Sequence, residues 1–388
     1  MARAQAADCL QALPAELARH ELVAAAWEGL DAKRVWDVHV HLVGTGDSGS
    51  GATVDPRTES WLHPIERIRR KVMMGAACVA DAPAGEVDAR YVERLRLLAD
   101  AMPVGFRILL FAFDNAVGDD GRELPGESTF HTPNAYAAAV AKLHAQRFEW
   151  VASIHPYRPD ALERLDQAKR DGARAIKWLP SAMNIDPASA RCDAFYSSLV
   201  KLDLPLVIHC GAEHAAPGAK QEPYNNVLRV RRPLEADVRV IVAHAATLGS
   251  ARDLDAPGET KPRVASFDLF ARLFDDPNYR SKLFADVSAV FQRNRKLDVI
   301  RRLLRRQDWH ARLLHGSDYP LPGIGLAYSL DRFVDADLLT ASAADVLLRI
   351  REFNPLLFEF VLKRTLADGG SRLSASVFHT SGFFQSRS

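Results

Sequence analysis

A pair of histidines near the start of the chain is the first feature that could carry out chemistry. The stretch RVWDVHVHLVG, residues 34–44, places His39 and His41 two residues apart in an otherwise apolar run. Successive side chains of a β-strand point to opposite faces, so the two imidazoles would share one face while Val38 and Val40 share the other. Two imidazoles on one face are either ordinary polar surface or two ligands of one metal ion.

Four further polar residues end, or nearly end, other apolar runs of the chain. They are Lys177, His209, His244 and Asp318. Taken singly, each has an ordinary interpretation as a hydrogen-bonded histidine, a salt-bridged lysine or an aspartate in a turn. Gathered with the histidine pair at one mouth of a barrel, they would carry a large desolvation cost unless they were paired or bound to metal. Nitrogen and carboxylate donors together favour Zn²⁺, and they are also compatible with Mn²⁺ or Fe²⁺.

These polar residues lie on eight short apolar, β-branched runs, most of which are separated by helical patterns. The runs are 35–43, 105–115, 148–156, 173–180, 204–211, 238–246, 283–290 and 311–320. Alternation of strand and helix predicts a parallel sheet covered by helices. Eight repeats predict an α/β fold of the (β/α)₈ TIM-barrel class, slightly distorted. A doubly wound open sheet is the alternative, but no GxGxxG motif follows the first strand.

The predicted organisation is one barrel with extensions at both ends. We expect an N-terminal helical extension over residues 1–30, a single barrel over 31–368 and a C-terminal tail over 369–388. Long loops after the first, second and sixth strands would lie on the C-terminal face, where barrels of this class build their active sites.

The composition excludes several classes of partner. The 388 residues include 50 Lys and Arg and 49 Asp and Glu, which gives a formal charge of +1. Such balance predicts neither nucleic acid nor a membrane surface as partner. The four cysteines are scattered, so we predict free thiols, and with no pattern typical of a signal peptide we expect a cytoplasmic protein.

Five segments in this order resemble the amidohydrolase superfamily, specifically its amidohydrolase 2 branch. They read DVHVH, IKWLP, VIHCG, VAHAA and HGSDYP, and they span most of the chain. The resemblance implies that His39, His41 and His209 bind metal and that Asp318 both binds metal and shuttles a proton. It implies that His244 either polarises substrate or water, or holds a second metal.

Lys177 separates two versions of such a site. In relatives with two metals, a lysine on the fourth strand is carbamylated and bridges them, and the surroundings of Lys177 resemble that arrangement. An uncarbamylated ammonium would be repelled by a single ion, so it would have to face a substrate anion. The sequence leaves both versions open: one Zn²⁺, or two bridged by carbamylated Lys177.

The predicted function is metal-dependent hydrolysis. Metal-activated water would attack an amide, lactone or ester of a small molecule. We expect this molecule to bear a carboxylate. The alternatives are non-oxidative, metal-dependent decarboxylation of an aromatic or dienoic acid, and an inactive ligand-binding barrel. Candidate substrate-facing residues are Trp61, His155, Trp178, Arg293 and Arg295. The resemblance also suggests a homodimer.

Overall fold

Eight parallel strands form the centre of the protein in a computed structural model that describes residues 12–213 and 222–385. In chain order they are β1 (Trp36–His41), β2 (Arg107–Phe111), β3 (Phe148–Val151), β4 (Ile176–Trp178), β5 (Leu206–His209), β6 (Val240–Ala243), β7 (Leu283–Asp286) and β8 (Leu313–Leu314). Strands β1 to β3 pair in sequence order, and so do β4 to β8, always in parallel.

Backbone hydrogen bonds join the two groups of strands at both edges. The Lys177 amide donates to the Ala152 carbonyl (2.7 Å) at the junction of β3 and β4. The Val38 amide donates to the His315 carbonyl, and the His41 amide to the Tyr319 carbonyl (both 3.0 Å), at the junction of β8 and β1. The eight strands therefore follow one another around a ring, and the predicted TIM-barrel fold is confirmed.

Helices cover the outside of the ring, and the larger apolar cluster lies between helices and strands. The α-helices are Ala15–Ala18, Glu21–Trp27, Pro64–Ala76, Val87–Asp100, Asn134–Leu143, Ala161–Arg170, Pro180–Met183, Asp193–Lys201, Arg231–Glu235, Ser266–Asp275, Leu297–Arg305, Asp331–Val334, Ala341–Phe353, Pro355–Thr365 and Ala375–Phe378. Two short antiparallel ribbons lie in the loops: Thr53–Val54 pairs with Phe130–His131, and Ser250–Arg252 pairs with Arg263–Ala265.

A smaller apolar cluster fills the interior of the ring. Its members include Trp36 and Val38 of β1 and Phe111 of β2. Strict alternation from Trp36 and Val38 would turn His39 and His41 outward. The pairing of β1 with β2 shifts register between Asp37 and Val40, and this irregularity turns the imidazoles toward the interior, where the His39 ring lies 4.6 Å from the Phe111 ring.

The last described residues pack against the first strand. The buried Thr380 hydroxyl accepts a hydrogen bond from the Trp36 amide (2.9 Å) and donates to the Trp36 carbonyl (2.6 Å). Phe384 is part of the interior cluster, 6.2 Å from the Trp36 ring. At the N-terminal side, Trp27 stacks on Phe360 at 4.2 Å.

Two further expectations concern cysteines and membranes. Cys192 and Cys210 are buried free thiols, whereas Cys78 is disulfide-bonded, so the expectation that every cysteine is free is wrong. Within residues 12–213 and 222–385, none of the helices combines the length and the apolar character needed to cross a bilayer.

Candidate metal centre

Three predicted metal ligands meet where β1 and β8 end. The Asp318 Oδ1 atom lies 3.1 Å from His41 Nε2 and 3.5 Å from His39 Nε2. Two donors each ~2.0–2.1 Å from a tetrahedral ion are themselves about 3.3 Å apart. Both distances to Asp318 Oδ1 are close to this value, and the three residues form a group of ligand atoms within 4.8 Å of one another.

A buried aspartate that the sequence analysis missed fixes the orientation of His39. Asp286, the last residue of β7, is fully buried, and its Oδ2 lies 2.9 Å from His39 Nδ1. Its Oδ1 accepts hydrogen bonds from the His244 amide (3.0 Å) and from the Ser288 amide (3.0 Å) and hydroxyl (2.5 Å). The only signal in the sequence was a lone aspartate within the apolar run LFADVSAV.

The hydrogen bonds define which nitrogen of each imidazole carries the proton. His39 donates from Nδ1 to Asp286. The Ser288 hydroxyl gives its own proton to Asp286, so His244 Nδ1 is the donor toward Ser288, whose hydroxyl oxygen lies at 2.8 Å and whose carbonyl oxygen lies at 3.0 Å. The His209 Nδ1 faces Glu213 Oε2 at 3.4 Å. In the His39 and His244 rings the Nε2 lone pair is left available for an ion, and the buried His209 Nε2 has no hydrogen-bond partner among the described residues.

His209 and His244 extend the cluster beyond the three closest ligands. Their ring centres are 5.5 Å apart, and the His244 ring lies 4.8 Å from the His39 ring. The His244 Nε2 atom is 3.8 Å from Asp318 Oδ2. Since His244 already donates from Nδ1, its Nε2 can accept a proton or bind metal, and the neutral ring cannot donate a hydrogen bond to substrate from that atom.

The donor set fits a divalent cation. The Nε2 atoms of His39 and His209 are buried and have no hydrogen-bond partner among the described residues. Leaving such atoms unpaired costs free energy in an apolar interior unless a ligand occupies them. Asp286, by contrast, has its carboxylate oxygens satisfied by protein donors, so it acts on His39 rather than as a ligand.

Burial sets the charge state of the centre. It lowers the pKa of His39 and His209 and places the pKa of His244 well below its ordinary value, so these imidazoles are neutral, as metal binding requires. Burial alone would raise the pKa of Asp318. Positive charge on His244 and His39, where either ring takes up a proton, and the hydrogen bond from His41 outweigh burial and hold that pKa well below the usual range.

Lys177 ends near the same cluster. It is 2% exposed, and its Nζ lies 5.0 Å from the centre of the Phe111 ring. Burial lowers its pKa, against the opposing effect of Asp286 and Asp318. Among the described residues, no carboxylate oxygen lies within 4.0 Å of this ammonium, so its surroundings suit either a cation facing a ligand or a carbamate.

A second group of residues holds Asp318 in place from behind. Asp37 Oδ1 accepts hydrogen bonds from the Ser317 amide (2.8 Å) and the His39 amide (3.2 Å). The Lys363 ammonium donates to the Gly316 carbonyl at 2.5 Å. Asp318 itself has a left-handed backbone, with φ of 62°, which is uncommon for a residue other than glycine and is typical of strained functional positions.

The centre lies in a cavity of 470 Å³ with largely apolar walls. His39, His41, Lys177, His209, His244 and Asp318 all line it. The walls farther out carry residues such as Val54, Met73, Phe130, Leu321 and Ile324. The cavity therefore has candidate metal ligands at its inner end and predominantly apolar walls farther out.

Of the predicted substrate-facing residues, the structure brings only Arg295 to the cavity. Trp61 is 77% exposed and Arg293 is exposed, and neither lines it. Trp178 is fully buried and donates to the Ile154 carbonyl (2.8 Å), and the buried His155 bonds to the Met183 carbonyl (2.7 Å). The last two are core residues, because strand ends carry structural as well as functional polar groups.

The ring of parallel strands defines a TIM barrel, and the polar cluster lies at its C-terminal end, where enzymes with this fold build their active sites. The chain belongs to the amidohydrolase family of the amidohydrolase 2 type, whose sequence profile matches residues 36–354. The family is metal-dependent, and His39, His41 and Asp318 form a candidate ligand group in this chain.

One solved structure supports the fold, and two others are similar at lower TM-scores. The chain is similar to an uncharacterized TIM-barrel protein from Bordetella bronchiseptica (15% identity, 81% of this chain and 99% of that chain covered, TM-score 0.50). It is also similar to a manganese-bound 5-carboxyvanillate decarboxylase from Novosphingobium aromaticivorans (13% identity, 83% of this chain and 95% of that chain covered, TM-score 0.41). A third similar structure is N-isopropylammelide isopropylaminohydrolase from Burkholderia multivorans (14% identity, 89% of this chain and 74% of that chain covered, TM-score 0.41). No protein of curated function matches the chain significantly in sequence.

Proposed function

We propose that the protein is a metal-dependent hydrolase acting on an amide, lactone or ester of a small molecule. The observation that carries this proposal is the set of histidine Nε2 atoms around the Asp318 carboxylate, two of which are buried with no hydrogen-bond partner in the described part of the chain. His39, His41, His209 and Asp318 would hold one divalent ion, with His244 beside them.

When bound, such an ion supplies a water molecule that is acidic enough to be ionised near neutral pH and polarises a carbonyl oxygen. Asp318 is deprotonated because its pKa is held low, so it can accept a proton at Oδ2 and return it to a leaving group. His244 lies 3.8 Å from that oxygen and offers a lone pair, not a proton. Lys177 then remains as the cation that can stabilise developing negative charge in a site with one ion.

Two measurements on the purified protein test the proposal. Elemental analysis with an intact mass distinguishes one ion with free Lys177 from two ions bridged by a carbamate. The metal-loaded protein is then assayed against amides, lactones and esters for acid release and against aromatic and dienoic acids for CO₂ release. Hydrolysis supports the proposal. CO₂ release alone supports the decarboxylase, and the absence of tightly bound metal supports the ligand-binding barrel.

The variant Asp318→Asn tests the proton transfer itself. The amide keeps the shape of the side chain but cannot accept the proton, so we expect metal content close to that of the unsubstituted protein and turnover reduced by at least a hundredfold. Unchanged turnover would rule out Asp318 as the proton acceptor. Zinc as the metal, a homodimer and a cytoplasmic location stay predictions. Ultracentrifugation tests the homodimer.

A further inference from the structure

We propose that Arg295 binds an anionic group of the substrate, and that the substrate is an amphiphilic monoanion whose apolar part fills the outer cavity. This inference rests on the proposed function for the reacting bond. Arg295 follows β7 and lines the same cavity as the metal centre. It would therefore select substrates by charge while the centre acts on them.

Arg295 differs from the other deeply buried arginines. It is 7% exposed, its Nε donates to the Thr247 hydroxyl and its Nη1 to the Asn294 side-chain carbonyl, both at 2.9 Å. Both acceptors are neutral, and none of the carboxylates in residues 12–213 and 222–385 lies within 4.0 Å of the guanidinium. Its Nη2 carries no hydrogen bond in that part of the chain.

Each of the other deeply buried arginines donates to a carboxylate or to a backbone carbonyl. Arg158 pairs with Asp114 at 2.7 Å, and Arg239 pairs with Asp203 at 2.7 Å. Arg94 and Arg312 are buried without a described carboxylate partner, but they donate to backbone carbonyls. Among the described arginines that are at least nine-tenths buried, Arg295 is the one that lines the cavity.

A buried guanidinium without a carboxylate is costly, and a bound anion would remove that cost. Burial lowers the pKa of Arg295 to about 10, with Asp318 and Glu213 opposing the change, so the side chain remains charged at neutral pH. A guanidinium with an unused Nη2 matches the fork-like geometry in which arginine holds a carboxylate.

The charge balance of the centre favours one negative charge on the ligand. Asp318, Asp286 and Glu213 supply three negative charges against the two positive charges of Lys177 and Arg295. One divalent ion whose bound water is not ionised then leaves a surplus of one positive charge. Two divalent ions with a carbamate at Lys177 leave the same surplus, so this expectation does not depend on the number of ions.

The outer cavity provides the apolar part of the binding site. Val54 and Phe130 come from one antiparallel ribbon, Met73 from helix Pro64–Ala76, and Ile324 from the loop after β8. A ligand with a carboxylate on Arg295 and a hydrocarbon or aromatic body would bury apolar surface against these residues at about 25 cal/mol per Å². A small, fully polar anion would leave this surface uncovered.

Calorimetric titration of the metal-loaded protein tests the inference without requiring turnover. The probes are 3-phenylpropanoate, its neutral amide 3-phenylpropanamide, and propanoate, which lacks the ring. We expect 3-phenylpropanoate to bind at least tenfold more tightly than either of the other two. In Arg295→Gln the preference for acid over amide should fall to less than threefold, while Arg295→Lys should keep part of it.

Arg293→Gln is the matched control, because it removes an arginine two positions away that is exposed and lies outside the cavity. It should retain the full preference. Thermal unfolding verifies that each variant is folded, and Arg295→Lys keeps the test informative if Arg295→Gln is unstable. Equal binding of acid and amide by the unsubstituted protein, or an undiminished preference in Arg295→Gln, would overturn the inference. If the unsubstituted protein preferred the acid over the amide but hydrolysed none of the amides, lactones and esters, the result would count against the proposed function and not against this inference.

Discussion

Replacing Asp286 by asparagine should change the protonation of His39 without changing the shape of the site. Three donors, the amides of His244 and Ser288 and the Ser288 hydroxyl, converge on Asp286 Oδ1. In Asp286→Asn the side-chain oxygen must occupy that position, because an NH₂ group there would face three hydrogens. The NH₂ group is therefore placed opposite His39 Nδ1, where Asp286 Oδ2 now lies at 2.9 Å.

The consequence for metal binding follows from the tautomer. An NH₂ donor facing Nδ1 requires a lone pair there, so the His39 proton moves to Nε2, the atom 3.5 Å from Asp318 Oδ1. A protonated Nε2 cannot bind metal. Loss of a partner behind a ligating histidine typically weakens metal affinity 10–100-fold. We expect the upper end, about 100-fold or ~2.7 kcal/mol, because the new group opposes the binding tautomer as well as removing the old contact.

Competition with a chelator of known affinity measures this change, and unfolding of the metal-free protein measures stability separately. Asp114→Asn is the control, since Asp114 is another buried aspartate that pairs with Arg158 outside the cavity. It should lose stability and keep its metal affinity. If Asp286→Asn bound metal as tightly as the unsubstituted protein, the assignment of the His39 tautomer and of Nε2 as a ligand would be wrong.

Three further changes test the surroundings of the centre. In Gly316→Ala the new Cβ would lie 2.8 Å from the His39 Cβ, so denaturant unfolding should show a loss of about 1–3 kcal/mol and chelator competition a weaker metal site; unchanged values would show that β1 and β8 can separate freely. Lys363→Met removes the ammonium that lies 2.5 Å from buried Glu359, whose pKa burial raises to about 8, so the carboxyl stays protonated and the free energy of unfolding should fall by about 1–3 kcal/mol, with partial recovery in Lys363→Met/Glu359→Gln. Burial lowers the pKa of His155 to about 4, below its ordinary 6.5, so the folded state disfavours the proton that the unfolded chain takes up. The free energy of unfolding should therefore fall by ~2 kcal/mol between pH 7 and pH 5. Urea unfolding at the two pH values measures this change, and in His155→Gln the change should be smaller by ~2 kcal/mol.

The sequence predicted the barrel because apolar runs and helical patterns alternate along it, and this periodicity reflects local burial. It also predicted the six polar residues at the strand ends, since each interrupts an apolar run. The inward orientation of His39 did not follow from alternation, because it depends on a register shift between β1 and β2. The structure alone separates Arg295 from Arg293, because exposure depends on how the loop after β7 folds back on the cavity.

The role of Asp286 illustrates a different limit. A single aspartate at a strand end looks the same in sequence whether it binds an ion, caps a turn or holds a histidine. Its role is defined by the donors that surround it, and those come from residues 39, 244 and 288. Contacts between segments so far apart in the chain have no signature in one sequence.

The pairing of Thr380 and Phe384 with Trp36 has a consequence for how the protein is made. A ribosome releases β1 early, but Thr380, which completes the hydrogen bonds of Trp36, follows it by 344 residues. A nascent chain that has not yet reached Thr380 would therefore present β1 with an uncovered end to chaperones and proteases.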